Sequence, residues 1–193
     1  MKVLVTGTKS GLGRYIHETI GGAGISRDTI IVHCAHTYVR DIEDNYDHFR
    51  DENIELTRNL VKLPHQKFIF ISSIDILNPS SMNGSSKLAS EQIVEHDARK
   101  PLIIRPSLIL GRFQRLNTVV KIKLGILKET TLSEKSEFYY IYNEEILEFI
   151  KKGIKENLVG TYTIGMEDKV RLKDLTKFYK RKINFGKYFY KIK

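Results

Sequence analysis

Asn83 and Lys87 are four residues apart in the segment Asn-Gly-Ser-Ser-Lys-Leu-Ala-Ser-Glu, which covers residues 83–91. In a helix this spacing places both side chains on one face. The Lys87 ammonium can donate hydrogen bonds, whereas the Asn83 amide has no titratable proton and cannot act as a general base. Asn83 can still position a substrate hydroxyl. The alternative is a surface turn that caps a helix, because Ser, Asn and Gly favour such sites.

A glycine-rich turn follows the first β-rich run of the chain, residues 2–6. The turn reads Gly7-Thr8-Lys9-Ser10-Gly11-Leu12-Gly13, and a helical pattern of apolar residues continues to Ile20. Glycine permits a close backbone approach, and a helix N-terminus presents free N–H groups to a phosphate. Strand, turn and helix together therefore predict a phosphate-binding site, with a plain turn as the alternative.

Further segments alternate between strand and helix patterns. Residues 29–35 predict a strand that ends in His33, Cys34 and Ala35, and residues 67–73 predict a buried strand that ends at Ser73. A long helix is expected over 42–63, another from Gly84 to about 96, and a strand over 102–105. This alternation predicts a parallel, doubly wound sheet in which the first strand lies beside 29–35, followed by 67–72 and 102–105.

These segments resemble the extended short-chain dehydrogenase/reductases, the NAD-dependent nucleotide-sugar epimerases and dehydratases. The resemblance is carried by Gly7/Gly11/Gly13, His33-Cys34-Ala35, Ser73, Gly84/Ser86/Lys87, Arg105-Pro106 and Gly111. It implies that NAD or NADP contacts residues Gly7 to Gly13, the strand end His33, Cys34 and Ala35, and Lys87. It also implies that Ser73 and Lys87 lie near the reaction centre, in a protein of glycan or polysaccharide biosynthesis.

The family has its catalytic Tyr where this chain has Asn83. In the family the nearby Lys favours the phenolate and lowers the pKa of the Tyr towards working pH. If the chain is an enzyme, the proton must move by another route. Tyr38 is one candidate base, and a water held by Asn83 and Lys87 is another. The candidate catalytic residues are therefore Ser73, Asn83, Lys87 and Tyr38.

The chain is also shorter than the family pattern. Only residues 21–28 separate the first helix from the strand at 29–35, too few for the family's second and third strands with their crossover. The ribose-reading residue that ends the second strand is then missing, because Asp28 precedes its strand. We therefore expect an α/β, reduced Rossmann-like doubly wound parallel sheet that lacks these two strands, and weak binding of NAD or NADP.

One domain is expected, with a nucleotide-binding part at 1–111 and a small substrate-side part at 112–193. The candidate substrate-binding residues lie around the junction of the two parts. They are Arg105, Arg112, Arg115 and Asn117. A guanidinium group suits a diphosphate, although solvated surface arginines are an equal alternative.

The chain carries 32 Lys+Arg, 23 Asp+Glu and a formal net charge of +9. Residues 169–193 hold ten Lys/Arg, one acid and six aromatic residues, so the rest of the chain is neutral. This basic tail suggests an anionic partner, but it contains no recognised nucleic-acid module, so a nucleic acid is not the expected partner. A single cysteine fits a reducing compartment, and no apolar run is long enough for a transmembrane segment. No His/Cys spacing suggests a metal site. We expect a cytoplasmic protein.

The leading functional hypothesis is an NAD(P)-dependent nucleotide-sugar epimerase/dehydratase. The alternative is a catalytically degenerate protein that binds a nucleotide or sugar-nucleotide in a regulatory or scaffolding role. Without the second and third strands, the first strand would lack its outer neighbour, and an open edge must be covered. A homodimer, the basic tail or the 21–28 connection could cover it.

Overall fold

The computed structural model describes residues 2–22, 24–37, 46–77 and 82–191. Tyr38 and residues 42–45 of the expected long helix lie outside these ranges. The strands are β1 (Lys2–Thr6), β2 (Thr29–His33), β3 (Lys67–Ile71), β4 (Pro101–Pro106), β5 (Leu108–Leu110), β6 (Glu129–Leu132), β7 (Glu137–Phe138), β8 (Tyr140–Tyr142), β9 (Gly160–Ile164), β10 (Val170–Arg171) and β11 (Asn184–Tyr188). The helices are α1 (Gly11–Ile20), α2 (Tyr46–Arg50), α3 (Leu56–Val61), α4 (Met82–Asp97), α5 (Thr118–Leu124), α6 (Asn143–Lys155) and α7 (Leu172–Phe178), and residues Asp51–Glu55 form a π-helical turn between α2 and α3.

The central sheet has five parallel strands in the order β1-β2-β3-β4-β9. Its strands are rich in Val, Ile and Phe, and β2 and β3 are buried along their whole length, as expected for a parallel sheet covered on both faces. The predicted order of the first four strands is confirmed. The fifth strand, β9, comes from the 112–193 part, so the two parts of the chain share one sheet.

Alternate side chains of the sheet pack against different helices. On the first face, Val3, Val5, Ile69 and their neighbours pack with α1 and α6. On the second face, Ile31, Phe68 and their neighbours pack with α3 and α4. Helices on both faces confirm the predicted doubly wound arrangement.

The connections between successive strands differ in hand. Each step β1 to β2, β2 to β3, β3 to β4 and β4 to β9 advances in the same direction across the sheet. The first and last steps pass over the face of α1 and α6, and the two middle steps pass over the face of α3 and α4. The two pairs of connections therefore have opposite hands, although parallel crossovers are right-handed in about 98% of cases.

The start of the sheet agrees with the expectation that the second and third strands are missing. Within the described residues, β1 pairs with β2 on one side and no strand pairs with its other side. After α1 the chain runs back along β1, where the Gly22 amide donates to the Val3 carbonyl at 2.9 Å. It then enters β2 directly. Among the described residues, the 21–28 connection donates one backbone hydrogen bond to β1, from Gly22 to Val3.

The C-terminal part forms short two-stranded pairs beside the sheet. β5 pairs with β8, β7 with β10, and β6 with β11. The basic tail belongs to this packing, because Leu172 of α7 is fully buried and β11 pairs in parallel with β6. Within the described residues, no helix combines the length and apolar character needed to cross a bilayer.

Candidate functional site

The glycine-rich turn joins β1 to α1 at the carboxyl end of the sheet. Gly7 and Gly11 have φ values of +74° and +61°, which favour glycine. A Cβ on Gly7 would lie 2.7 Å from the Ala35 amide nitrogen, and a Cβ on Gly13 would overlap the Gly7 carbonyl oxygen. The absence of side chains therefore lets the turn pack against the end of β2, as a phosphate-binding turn requires.

A cavity of about 240 Å³ opens between this turn and α4, and we call it the turn cavity. Its lining combines backbone of the turn with polar side chains from several strand ends. The lining residues are Ser10, Gly11, Leu12, Gly13, Cys34, Ile71, Ser72, Lys87, Ile109, Gln114, Arg115, Asn117 and Asn143. The structure thus brings the predicted turn, Cys34 and Lys87 together in one cavity.

Lys87 is the buried cation of the turn cavity. Its side chain is 6% exposed, and its Nζ donates to the Ile71 carbonyl at 2.8 Å and lies 4.8 Å from the centre of the Phe70 ring. Burial lowers the pKa of Lys87 to about 8, and Arg115 acts in the same direction. Lys87 is therefore mostly protonated at pH 7, and its charge is available to an anionic ligand.

A second cavity of about 630 Å³ adjoins the first, and we call it the tail cavity because Tyr190 lines it. The two cavities share Ser72, Ile109, Arg115 and Asn117. The tail cavity also contains two predicted catalytic residues, Ser73 and Asn83. The two cavities together form a continuous site along the carboxyl ends of β1 to β4.

Asn83 is part of a hydrogen-bonded chain that ends at Tyr190. Its Nδ2 donates to Asp75 Oδ2 at 3.3 Å, and the Tyr190 hydroxyl donates to Asp75 Oδ1 at 2.7 Å. The Asn83 Oδ1 then accepts from His36 Nε2, which places the imidazole proton on that nitrogen. Burial and then Lys87 lower the pKa of His36 to about 3, so this ring is neutral.

Two adjacent residues at the end of β2 have different positions: the His33 side chain lies in the core, and Cys34 lines the site. His33 is fully buried, its two ring nitrogens bond the hydroxyls of Thr6 at 2.7 Å and Thr57 at 3.0 Å, and burial lowers its pKa to about 3. It does not line either cavity. Cys34 does line the turn cavity, and burial raises the pKa of its thiol to about 12, so the thiol is neutral and unreactive.

Arg115 lines both cavities and is bonded to the glycine-rich turn. Its Nε donates to Ser10 Oγ and its Nη1 to the His36 carbonyl, each at 3.1 Å. Beside it the Phe113 carbonyl accepts from the Gly11 amide at 2.7 Å. The 113–115 segment therefore lies across the glycine-rich turn, and its guanidinium group can meet a phosphate that enters there.

The other predicted substrate-binding residues are placed differently. Arg105 forms an ion pair of 2.6 Å with the buried Glu91 and lines neither cavity. Arg112 lies over the Phe113 ring, also outside the cavities. Asn117 lines both cavities, but its Oδ1 also accepts from the Val120 amide at the start of α5. Of these four residues, Arg115 and Asn117 belong to the site.

Sequence reasoning missed several polar groups of the site. Ser72 and Ser107 are each 5% exposed, and Asp75 and Tyr190 complete the hydrogen-bonded chain. The Ser-Ser pair after β3 was a visible signal for Ser72, since both serines of the pair line the tail cavity. Tyr190 had no local signal, because it meets Asp75 across 115 residues of sequence. Among the described residues, no cluster of His, Cys, Asp or Glu could hold a metal ion.

The fold is shared with solved structures of nucleotide-sugar enzymes. A dTDP-4-dehydrorhamnose reductase from Bacillus anthracis, in complex with NADP, is 22% identical with a TM-score of 0.75, over 96% of this chain and 84% of that one. A UDP-glucuronic acid 4-epimerase from Bacillus cereus, in complex with NAD, is 16% identical with a TM-score of 0.77, over 96% and 86%. MoeE5, in complex with UDP-glucose and NAD, is 15% identical with a TM-score of 0.80, over 100% and 86%.

The chain has the fold of the extended short-chain dehydrogenase/reductases. This confirms the resemblance seen in the sequence and the reduced Rossmann-like architecture. The identities lie below 25%, so the likeness establishes the fold and leaves the activity to the chemistry of the site. A scan against protein-family models finds no match, and a search of curated proteins finds no sequence relative.

Proposed function

We propose that the protein is an NAD(P)-dependent nucleotide-sugar epimerase, dehydratase or reductase, acting in glycan or polysaccharide biosynthesis. The observation that carries this proposal is that the glycine-rich turn, Lys87 and Ser72 line one cavity, which shares four lining residues with a larger cavity. A nicotinamide dinucleotide and a sugar substrate need two adjoining sites of this kind. The solved structures with this fold contain NAD, NADP or UDP-sugars.

The residues present fit the pyrophosphate and the nicotinamide end of the dinucleotide. A Cβ at Gly11 would meet only the Arg115 side chain within 4 Å among the described atoms, so a pyrophosphate can approach the backbone there, and Lys87 and Arg115 supply positive charge. A bound nicotinamide would supply or accept the hydride. Lys87 would orient it, while Ser73 and Asn83 would hold the substrate hydroxyl groups beside it.

Fewer groups of the described protein are placed to bind the adenosine end of the dinucleotide. No described strand lies beyond β1 to carry an acidic group for the ribose, and the Gly11 amide is already bonded to the Phe113 carbonyl. The dinucleotide must therefore displace the 113–115 segment or leave that amide unused. Both features favour weak binding of NAD or NADP, carried mainly by the pyrophosphate.

Calorimetric titration with NADH and NADPH tests the cofactor site. Gly13→Asp should abolish binding, because its side chain would overlap the Gly7 carbonyl and set a negative charge against the phosphates. Gly22→Asp is the matched control, since a Cβ at Gly22 meets no atom within 4 Å. Equal binding by the Gly13 variant and the wild type would exclude this turn as the phosphate site.

A second candidate function is a non-catalytic, regulatory or scaffolding binder of a nucleotide-sugar. It is favoured by Asn83, whose amide is held between His36 and Asp75 and cannot exchange a proton. General acid–base catalysis typically contributes about 10²–10⁴-fold. Asn83→Tyr should therefore raise the turnover of nucleotide-sugars if the protein is a degenerate enzyme. Robust wild-type turnover that survives Lys87→Ala would contradict both candidates at this site.

We also propose that two copies associate through β1. The outer edge of this strand meets one hydrogen bond from Gly22 and no described strand, and an open edge readily pairs with another. A two-fold axis beside β1 would join the two sheets. Light scattering at micromolar concentration should give twice the chain mass. A strictly monomeric particle would leave the 21–28 connection as the cover of this edge.

A further inference from the structure

The tail cavity contains buried hydroxyl groups without partners. Ser72 and Ser107 are each 5% exposed, both line this cavity, and neither Oγ has a hydrogen-bond partner among the described residues. A buried polar group that stays unpaired costs about 1–3 kcal/mol. Because both residues line one cavity, a ligand that enters it can supply the missing hydrogen bonds after small side-chain movements.

The C-terminal segment brings a phenol to the same cavity. Tyr190 is fixed there by stacking on Phe138, with ring centroids 5.2 Å apart. Its backbone is also fixed, because its carbonyl accepts from the Glu137 amide at 2.9 Å and its amide donates to Ser136 Oγ at 3.1 Å. The Tyr190 hydroxyl is therefore held at one position, against Asp75.

Asp75 and Tyr190 offer hydrogen-bond acceptors to a ligand. Burial and then Asp75 raise the pKa of Tyr190, so the phenol keeps its proton and donates it to Asp75 in a hydrogen bond. A carboxylate accepts about four hydrogen bonds, and among the described residues Asp75 accepts one from Tyr190 and one from Asn83. Because the single phenol proton is donated to Asp75, the pair can accept hydrogen bonds from sugar hydroxyls through the free lone pairs of the Asp75 carboxylate and of the Tyr190 oxygen.

We propose that Tyr190 and Asp75 form a sugar-recognition pair that binds hydroxyl groups of the glycosyl unit of a nucleotide-sugar in the tail cavity, with Ser72 and Ser107 as further contacts. The proposal rests on the substrate class given under the proposed function. Arg115 lies on the wall shared with the turn cavity, where it can hold the diphosphate. The basic tail then completes the substrate site. The Tyr190 phenol is linked through the Asp75 carboxylate to Asn83, which has no phenol of its own.

Binding measurements with sugars and without them test this assignment. The probes are UDP-glucose, UDP-glucuronic acid and dTDP-glucose, each compared with UDP or dTDP by calorimetry. In the wild type, at least one nucleotide-sugar should bind more tightly than its bare diphosphate. Tyr190→Phe should weaken the binding of that nucleotide-sugar about 10-fold, because a hydrogen bond in a charged network is lost, and should leave the diphosphate unchanged.

Two further variants separate recognition from folding. Ser107→Ala removes a buried hydroxyl that bonds nothing in the described protein, so the melting temperature of the free protein should stay the same or rise, while sugar binding falls about 3-fold or more. Tyr179→Phe is the matched control, because it removes a phenol oxygen from a tyrosine that lines a different cavity. It should change the affinity for neither the nucleotide-sugar nor the diphosphate.

Three results would overturn the proposal. The first is a wild type that binds none of the three nucleotide-sugars better than its diphosphate. The second is a Tyr190→Phe variant that loses diphosphate and nucleotide-sugar affinity equally with a lower melting temperature, which would mean a purely structural role. The third is unchanged sugar affinity in both Tyr190→Phe and Ser107→Ala. NADH titrations report separately on the cofactor, so a protein that discriminates sugars without binding NADH would refute only the proposed dehydrogenase chemistry.

Discussion

Glu91 and Glu137 both form ion pairs with Lys or Arg side chains, but in different surroundings. Glu91, on α4 against the parallel sheet, has a side chain that is 2% exposed and forms a bidentate pair with Arg105. Glu137, in the C-terminal part, lies within 4.0 Å of Lys169, Arg171 and Lys191, whose side chains are 36–65% exposed. The sheet therefore holds few charges at fixed buried positions, whereas the C-terminal part spreads many cations over the surface.

This difference shows where charge matters in the molecule. Removing one partner of a buried pair leaves an unpaired charge in the protein interior, which is strongly destabilising. Exposed pairs are screened by water and salt and contribute little. Although the whole net charge of +9 lies in residues 169–193, the buried charges beside the sheet should therefore dominate both stability and ligand binding.

The largest effect is expected at the buried pair. Arg105→Met should lower the free energy of unfolding by about 3–5 kcal/mol, because Glu91 loses its partner. Urea denaturation measures this change. In the double variant Arg105→Met/Glu91→Leu, most of the loss should be recovered. A single-variant loss below about 1 kcal/mol would place this pair in the same class as the surface pairs.

Lys87 should make stability depend on pH. Its pKa is about 8 in the folded protein and 10.5 in the unfolded chain, so between these values the unfolded chain binds more protons. The free energy of unfolding of the wild type, relative to Lys87→Met, should therefore rise with pH across this window, by about 3 kcal/mol in total. Urea denaturation from pH 7 to 11 measures it, with the exposed Lys152→Met as the control. A flat difference would mean that Lys87 is solvated.

Truncation of residues 182–193 should have a moderate effect. The described residues of this segment are packed on the rest of the chain, because β11 pairs with β6 and Tyr190 stacks on Phe138. We expect a loss of about 2 kcal/mol or more, together with the loss of sugar discrimination and unchanged NADH affinity. Retention of sugar discrimination by the truncated chain would contradict the tail's role in the site.

The smallest effect is expected at the surface cluster. Glu137→Gln should change the melting temperature by about 2 °C or less, and the change should vanish at high salt. Differential scanning calorimetry at two salt concentrations provides the test. A larger, salt-independent change would show that the cluster around Glu137 is integral to the fold in the way that the Glu91 pair is.

The sheet was predictable from sequence because its signals are local. The strands at 2–6, 29–33 and 67–71 are apolar runs, and the turn between Gly7 and Gly13 carries its own glycines. The site was less predictable. The sequence around Arg105 does not indicate that this side chain pairs with Glu91 instead of binding a substrate. Ser73 was predicted as a site residue, whereas Ser72, which lines both cavities, was not.

The role of Tyr190 depends on chain folding over a long distance. The tail was recognisable as basic and aromatic, but its sequence does not indicate which aromatic side chain enters the body of the protein. That choice follows from the pairing of β11 with β6 and from the approach of the tail to Asp75, neither of which leaves a pattern in neighbouring residues.

The strand order also bears on how the chain folds during synthesis. In the full Rossmann order, 3-2-1-4-5-6, the fourth strand must be added beside the first, on the opposite side from the second. Here each strand of the central sheet pairs with the sheet strand that precedes it in the chain. The sheet can therefore grow in one direction as the chain leaves the ribosome, with β9 added last.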